Sequence, residues 1–270
     1  MTQDQQDADL LLSTQGSDGI LRLTLNDPAR RNALSEAMLA ALDAAFDAAS
    51  TNADVRVIIL SGVGPVFCAG HDLKEMTAGR QNADRGRAYF TKILDQCSSF
   101  MQKIVTCPKP VIAEIDGVAT AAGCQLVASC DLAVASEDAQ FCTPGVHIGL
   151  FCSTPMVALS RNLANKHAME MLLTGDMVPA SRAAEMGLVN KVVPSIELRT
   201  ASMALARKIA AKSSLTLATG KRAFYMQKEM DLAAAYGYAS KIMVDNMLAR
   251  DAEEGIAAFI EKRAPDWHDE

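Results

Sequence analysis

The stretch Pro110–Leu150, reading PVIAEIDGVATAAGCQLVASCDLAVASEDAQFCTPGVHIGL, leaves this chain few ways to fold. Val111–Ile115 is an apolar run with the length and β-branched content of a buried strand. Asp116-Gly117 turns the chain, and Ala119–Gly123 is built of small residues, so little side chain stands between backbone and ligand. Gln125–Ser129 reads as helical and Leu132–Ala135 as a second short strand. A strand, a turn of small residues and a helix start form a place where unpaired backbone N–H groups can face an anion. Upstream, Phe67-Cys68-Ala69-Gly70-His71-Asp72-Leu73 offers a second turn of the same kind. Each turn is expected to lend one N–H to a developing oxyanion.

A chain of 270 residues suits one domain or a domain with an appendage, and is ample for a large core. The net charge of -6, with no basic stripe, argues against nonspecific nucleic-acid or membrane binding, though local arginines and helix ends can still hold phosphates. The seven cysteines are odd in number and show no C-x-x-C pairing, so they read as reduced, mostly buried thiols. The start, MTQDQQDADLLL, is acidic, lacks an apolar h-region and has no arginine, so it reads as neither signal nor transit peptide. No run approaches a membrane span. The expected location is cytoplasmic. His71, His147, His167 and His268 are scattered without ligand spacing, so no metal is expected. No G-x-G-x-x-G or phosphate loop follows a strand, so no nucleotide cofactor is expected either.

Along the chain, residues 1–10 are expected to be a flexible, polar N-terminus. Ile20–Leu25 alternates, with Leu21, Leu23 and Leu25 on one face, and closes at Asn26-Asp27-Pro28. Ser35 is placed as the N-cap of a helix to about Ala49. Val55–Leu60 reads as an interior parallel strand, Lys74–Asp84 as a mobile polar loop, and Phe90–Thr106 as a helix stopped by Pro108 and Pro110. After the central stretch come helices at Thr154–Leu163, Lys166–Leu173 and Ala180–Met186, with Gly187 as a left-handed cap, then an edge strand within Leu188–Val193. From Ile196 the chain is helical nearly to its end. The expectation is an α/β fold of repeated strand-turn-helix units over residues 11–195, with a helical C-terminal region over 196–270.

These residues resemble the crotonase (enoyl-CoA hydratase/isomerase) superfamily over about Ile20–Trp267. The carriers are Asp27-Pro28 with Asn32-Ala33-Leu34, Phe67–Lys74, Pro110–Ala113, Ala122–Leu126 with Cys130-Asp131, Gly187–Asn190, and Glu254-Gly255 through Trp267. The resemblance implies a ClpP/crotonase-like spiral of ββα units with a C-terminal trimerisation region, a trimer often paired into a hexamer, and an acyl-CoA thioester substrate. Coenzyme A is then part of the substrate, and no separate cofactor is implied. By family position the oxyanion hole uses the backbone N–H groups of His71 and Ala122, which are the two turns already singled out. Substrate contacts are implied around them at Ala69, Asp72, Leu73 and Gly123. Arg30 and Arg31 are implied to meet the CoA phosphates, where residue chemistry alone allows an ordinary solvated loop. Phe259 and Lys262 match positions near the CoA nucleotide, reaching from a neighbouring subunit; spacing alone makes them part of an amphipathic terminal helix.

The chain departs from the family where water is activated. One of the two family glutamates follows Gly-Cys, and here that position is Gln125; the other follows Pro144, and here it is Gly145. Gln125 can hydrogen-bond a water without taking its proton, and Gly145 has no side chain. His147 could act as a base near neutral pH, against the commoner reading of a packing or surface histidine. Asp72 reads first as a helix cap, Cys124 and Cys152 as buried thiols, and Ser153 and Thr154 as helix N-caps, while Glu114 and Asp116, carboxylates at the end of a buried strand, suit a functional role and pairing with a neighbouring strand or subunit equally. The resemblance therefore implies an enoyl-CoA hydratase/isomerase, with an isomerase, decarboxylase, thioesterase or non-catalytic acyl-CoA-binding protein as the alternatives.

Overall fold

Apolar strands that need cover on both faces set the architecture of residues 9–270, the part described by the computed structural model. The expectation of a loose start falls almost wholly outside these residues. β1 (Leu11–Gln15) and β2 (Ile20–Leu25) pair antiparallel and are followed by α1 (Glu36–Thr51). Three strand–strand–helix turns succeed them. The first holds β3 (Val57–Gly62), β4 (Val66–Cys68), α2 (Leu73–Gly79) and α3 (Arg87–Thr106). The second holds β5 (Val111–Ile115), β6 (Val118–Thr120) and α4 (Ala122–Ser129). The third holds β7 (Leu132–Ser136), β8 (Gln140–Cys142), α5 (Ser153–Asn162) and α6 (Asn165–Thr174). β9 (Val178–Pro179), α7 (Ala180–Met186) and β10 (Lys191–Val193) complete the sheets, and α8 (Leu198–Ala210), α9 (Ser214–Gln227), α10 (Leu232–Met247) and α11 (Arg250–Glu261) follow.

The first strand of each turn enters a six-stranded sheet of order β1-β2-β3-β5-β7-β10, parallel from β2 onward. The second enters a four-stranded sheet of order β4-β6-β8-β9, parallel except for β8 with β9. This is the spiral of ββα units that the family resemblance implies. A large core fills one side of the six-stranded sheet, where Phe46, Phe67, Phe100 and Phe141 are fully buried and Phe46 meets Phe100 edge-on at 5.2 Å. Each such ring contributes roughly 1.5–3 kcal/mol through burial. On the opposite face α8 lays Leu198, Ala206 and Ala210 over Ile20, Val57, Ile59, Ile112 and Val134.

That second layer covers the other face of β2 too: Ile20 and Arg22 are buried as well as Leu21, Leu23 and Leu25. Arg22 reaches Glu114 of β5 through two hydrogen bonds, Nη1 to Oε1 at 2.6 Å and Nη2 to Oε2 at 2.9 Å. Ser202 of α8 donates to the same carboxylate. Glu114 is thus satisfied inside the protein by a side chain from β2, two strands across the sheet, and by one from α8. Lys74–Asp84, expected as a mobile loop, begins as α2 because Asp72 caps it, Oδ1 accepting from the N–H groups of Lys74 and Glu75 at 2.8 and 3.3 Å. Ser35 caps α1 as expected, accepting from Met38 N–H at 3.1 Å. Far along the chain, α9 is pinned by Lys221, whose Nζ lies 2.7 Å from Asp131 and donates to the carbonyls of Ile104 and Lys109. Tyr225 adds a hydrogen bond to Asp131 at 3.0 Å.

Removing one partner of a buried ion pair leaves the other uncompensated, at a cost of about 3–5 kcal/mol. Arg22→Leu is therefore expected to lower the unfolding free energy by about that much, and Arg22→Leu with Glu114→Leu to recover most of it. Urea unfolding of the two variants checks this.

Candidate active site

Two turns that follow β4 and β6 are pressed together until backbone meets backbone. Gly70, at φ +83°, occupies a conformation that side chains disfavour, and a Cβ there would lie 3.0 Å from Ala121 Cβ and 3.1 Å from the backbone nitrogen of Ala122. Gly123 is held more tightly still, since a Cβ would lie 2.1 Å from the carbonyl oxygen of Cys68. Thr120 Oγ1 ties the turns by donating to Ala69 O at 3.0 Å. Ala121 turns the chain from β6 into α4 at φ 50°, ψ −118°, a strained setting for a residue with a side chain.

This packing leaves two donors without acceptors. Ala122 is the first residue of α4, so its N–H has no intrahelical partner. His71 sits in an isolated parallel bridge with Leu34, in which Leu34 N–H bonds to Gly70 O at 2.7 Å. In that geometry the bridge is carried by the neighbours of His71 rather than by its own N–H. Among the described residues no acceptor meets either N–H. Both residues line a cavity of about 1120 Å³. The sequence-expected pair of donors is therefore brought together at one wall.

The other expected residues divide. Ala69, Asp72, Leu73, Arg30 and Arg31 also line the cavity, as do Gly145 and His147. Arg30 pairs with Asp27 at 2.7 Å and lies 3.9 Å from Asp72, while Arg31 makes no ion pair among the described residues. Asp72 is the one carboxylate among the described lining residues, and it is occupied in capping α2. Gly123 and Gln125 lie behind the wall: both are buried, and Gln125 Oε1 has no hydrogen-bond partner. Phe259 and Lys262 do not reach the cavity within this chain. Phe259 is 84% exposed, and Lys262 ends α11 in a left-handed conformation. His147 is exposed and donates through Nε2 to Thr174 O at 2.8 Å. A carbonyl only accepts, so Nε2 carries a proton in this contact.

Packing explains the glycine at 145. A Cβ there would lie 2.9 Å from both Cys152 Sγ and the Leu150 carbonyl oxygen. Cys152 lines the cavity, but burial pushes its thiol pKa up, as it does for Cys124, and raises that of Cys142 to about 11. These are protonated, unreactive thiols at neutral pH. Sequence reasoning missed two features. Asn32, fully buried at φ 51°, accepts from Asp27 N–H at 2.8 Å and donates to the carbonyls of Val63 and Val66, fixing the arginine loop beside the turn after β4. The buried fraction of His71 is the second. Neither ring nitrogen has a hydrogen-bond partner, and burial lowers the imidazole pKa. The Leu34 backbone and the Glu75 charge oppose that effect without closing a hydrogen bond to the ring. Among the described residues no cluster of His, Cys, Asp or Glu could hold a metal ion.

A ββα spiral whose turns after β4 and β6 both line one cavity is the crotonase class of scaffold. The Enoyl-CoA hydratase/isomerase family model matches residues 15–270. Human enoyl-CoA hydratase domain-containing protein 3, mitochondrial, is 50% identical over 260 residues, covering 96% of this chain and 84% of the relative. Its crystal structure superposes with a TM-score of 0.90 at 48% identity, covering 96% of this chain and 100% of that one. An enoyl-CoA hydratase of Mycobacterium smegmatis superposes with a TM-score of 0.92 at 49% identity, covering 97% and 100%. The chain belongs to the enoyl-CoA hydratase/isomerase family. The wording of its Ala119–Asp131 and Gly149–Pro155 segments most resembles the domain-containing protein 3 branch, in agreement with these relatives.

The same names correct the expected cytoplasmic location, since the rat, mouse and human relatives are all designated mitochondrial. Reduced, buried cysteines describe a reducing compartment and do not separate one such compartment from another. Among the described residues no helix is long and apolar enough to cross a membrane.

Gly123→Ala forces a methyl group into the Cys68 carbonyl, where backbone stands on both sides and cannot rotate away. It is expected to destabilise the protein by at least the 1–3 kcal/mol or so typical of overpacking. Thermal unfolding with near-UV circular dichroism checks this.

Proposed function

We propose that this protein binds an acyl-CoA thioester in the cavity and stabilises an enolate-like oxygen with the backbone N–H groups of His71 and Ala122. It would then act as a hydratase/isomerase-type enzyme at the carbons next to the thioester. The observation that carries this reading is the pair of acceptor-free N–H groups on turns packed against each other at Gly70 and Ala122. Donors held in place before reaction need no reorganisation as charge develops, and losing one typically costs roughly 10²–10³-fold in kcat. The cavity, at about 1120 Å³, has room for an acyl chain and the arm that carries it. Arg30 and Arg31 supply cationic groups for CoA phosphates at its exposed edge. No separate cofactor enters this reading.

Gln125 and Gly145 stand where carboxylates would handle the water, and neither transfers a proton. Each such group is worth about 10²–10⁴-fold, so hydration must draw on another group or be slow. The absence of a free carboxylate on the described cavity wall supports one second reading, an acyl-CoA-binding protein without turnover. In the division we favour, residues 11–195 form the spiral body and 196–270 a helical region used for self-association. Exposed Tyr236, Phe259 and Ile260 on α10 and α11, at 70%, 84% and 73%, suit burial between subunits of a trimer or hexamer. Phe259 and Lys262 would there approach a neighbour's CoA.

Calorimetry with crotonyl-CoA is expected to show binding, and loss of the ultraviolet absorbance of the conjugated enoyl thioester to report turnover. Replacing the Ala122 amide by an ester, which deletes the N–H alone, is expected to lower any turnover by about 10²–10³-fold. Absence of thioester binding by the intact protein would refute the reading. Gln125→Glu is expected to raise hydration of crotonyl-CoA, whereas Gly145→Glu must first displace Leu150 and Cys152. Comparing the single and double variants by the same assay checks this.

A further inference from the structure

Charge along the cavity is lopsided. Among the described residues its lining holds four cations, Arg30, Arg31, Lys74 and Arg80, against the single carboxylate of Asp72, although the chain as a whole carries -6. Asp72 is engaged in capping α2. Three of the cations gather where α2 begins: Lys74 is in its first turn, Arg30 lies 3.9 Å from Asp72, and the Arg31 carbonyl accepts from Ala69 N–H at 3.1 Å. Arg80 stands apart at the other end of that helix, where the thioester reading leaves it without a task. We infer that Arg80 binds a carboxylate at the far end of the acyl chain, so that the substrates of this site are CoA thioesters of dicarboxylic acids. This rests on the thioester reading above and narrows its substrate class.

α2 is the ruler. Leu73 follows the turn that carries the His71 N–H, and the seven residues of the helix, at about 1.5 Å each, put Arg80 roughly 10 Å farther along. A chain whose carbonyl oxygen lies at that N–H and which runs along α2 thus has Arg80 at its far end. Met76 on α2, with Phe90 and Leu94 on α3, gives the methylenes apolar cover.

The guanidinium is unpaired and already oriented. It makes no ion pair among the described residues and lies over the Phe90 ring, 5.2 Å from the centroid. Gly86, at φ +86°, folds the loop 81–86 back against both, since a Cβ there would lie 2.9 Å from the Phe90 ring and 3.0 Å from Arg80 Cα. The acidic residues of α2 and of this loop are committed elsewhere. Asp84 accepts from the N–H groups of Gly86 and Ala88 at 3.0 and 2.8 Å, and Glu75 from Glu36 N–H at 3.0 Å and Tyr89 Oη at 3.3 Å. A guanidinium fork meets a carboxylate with two parallel hydrogen bonds, and a ring beneath it favours the orientation that offers them. Arg80 is exposed, so a bound carboxylate keeps part of its hydration and the pair stays sensitive to salt. A methyl-ended chain gains neither hydrogen bond.

Calorimetry on the full chain with adipoyl-CoA, hexanoyl-CoA and free CoA tests this, the two thioesters having equal carbon counts and differing at the chain end. Wild type is expected to bind adipoyl-CoA about tenfold more tightly than hexanoyl-CoA, as befits a hydrogen-bonded charge pair at an exposed site. The margin should narrow as salt is raised. Arg80→Met keeps an unbranched stem without the charge and should lose that margin, weakening adipoyl-CoA about tenfold and hexanoyl-CoA far less. Arg80→Lys, which keeps the charge without the fork, should fall between. Equal losses for adipoyl-CoA, hexanoyl-CoA and free CoA in Arg80→Met would put Arg80 on the CoA phosphates and overturn the inference. A wild type that binds hexanoyl-CoA as tightly as adipoyl-CoA, or an unchanged margin in Arg80→Met, would overturn it too. Each of these leaves the thioester reading standing. Should the variants misfold, the wild-type comparison and its salt dependence decide. If wild type binds neither thioester, the thioester reading itself fails.

Discussion

Backbone pressed against backbone, where the turn after β4 meets the start of α4, is the contact on which the rest of the site depends. Side chains would hold these segments apart, and the distances to Cys68 and Ala122 show how little room there is. Once the segments are this close, their N–H groups have no strand or helix partner left. The unpartnered donors at this wall are thus a by-product of close packing. The six-stranded sheet and its two apolar layers supply the rigidity that lets such an unsatisfied arrangement persist.

Charge is placed sparingly around that framework. Glu114 and Arg22 satisfy one another beneath α8, and Asp131 gathers Lys221 and Tyr225 to hold α9. Asp72 spends its carboxylate on α2. Each acidic residue that sequence alone could nominate for chemistry inside the spiral is thereby committed elsewhere, except exposed Asp116. The arginines near the cavity differ in the same way, Arg30 being engaged by Asp27 and Arg31 left to solvent.

Much of the fold was legible from residue patterns. Val111–Ile115 is a strand with the bounds expected, and Ile20–Leu25 likewise, because apolar runs of that length carry a clear signal. The smaller sheet was not legible. β4, β6 and β8 have three residues each and β9 two, too short for any periodicity to show. β6 therefore lay hidden in what read as a turn of small residues. The two turns that line the cavity were visible as small-residue segments, and the family resemblance named their candidate donors. Neither source could show that Gln125 sits behind the cavity wall, that Cys152 fills the space beside Gly145, or that the His71 ring is unpartnered, because each depends on contacts between distant parts of the chain.

The neighbours of Gly145 bear on which mutational routes are open to this protein. A larger side chain at that position meets a sulfur atom and a main-chain oxygen from the segment that leads into α5. The sulfur can be trimmed by substitution at Cys152, but the oxygen belongs to the backbone and yields only if the segment shifts. A carboxylate at this position and the present path of the loop are thus sterically coupled, and a single replacement at 145 meets main chain unless the segment moves with it.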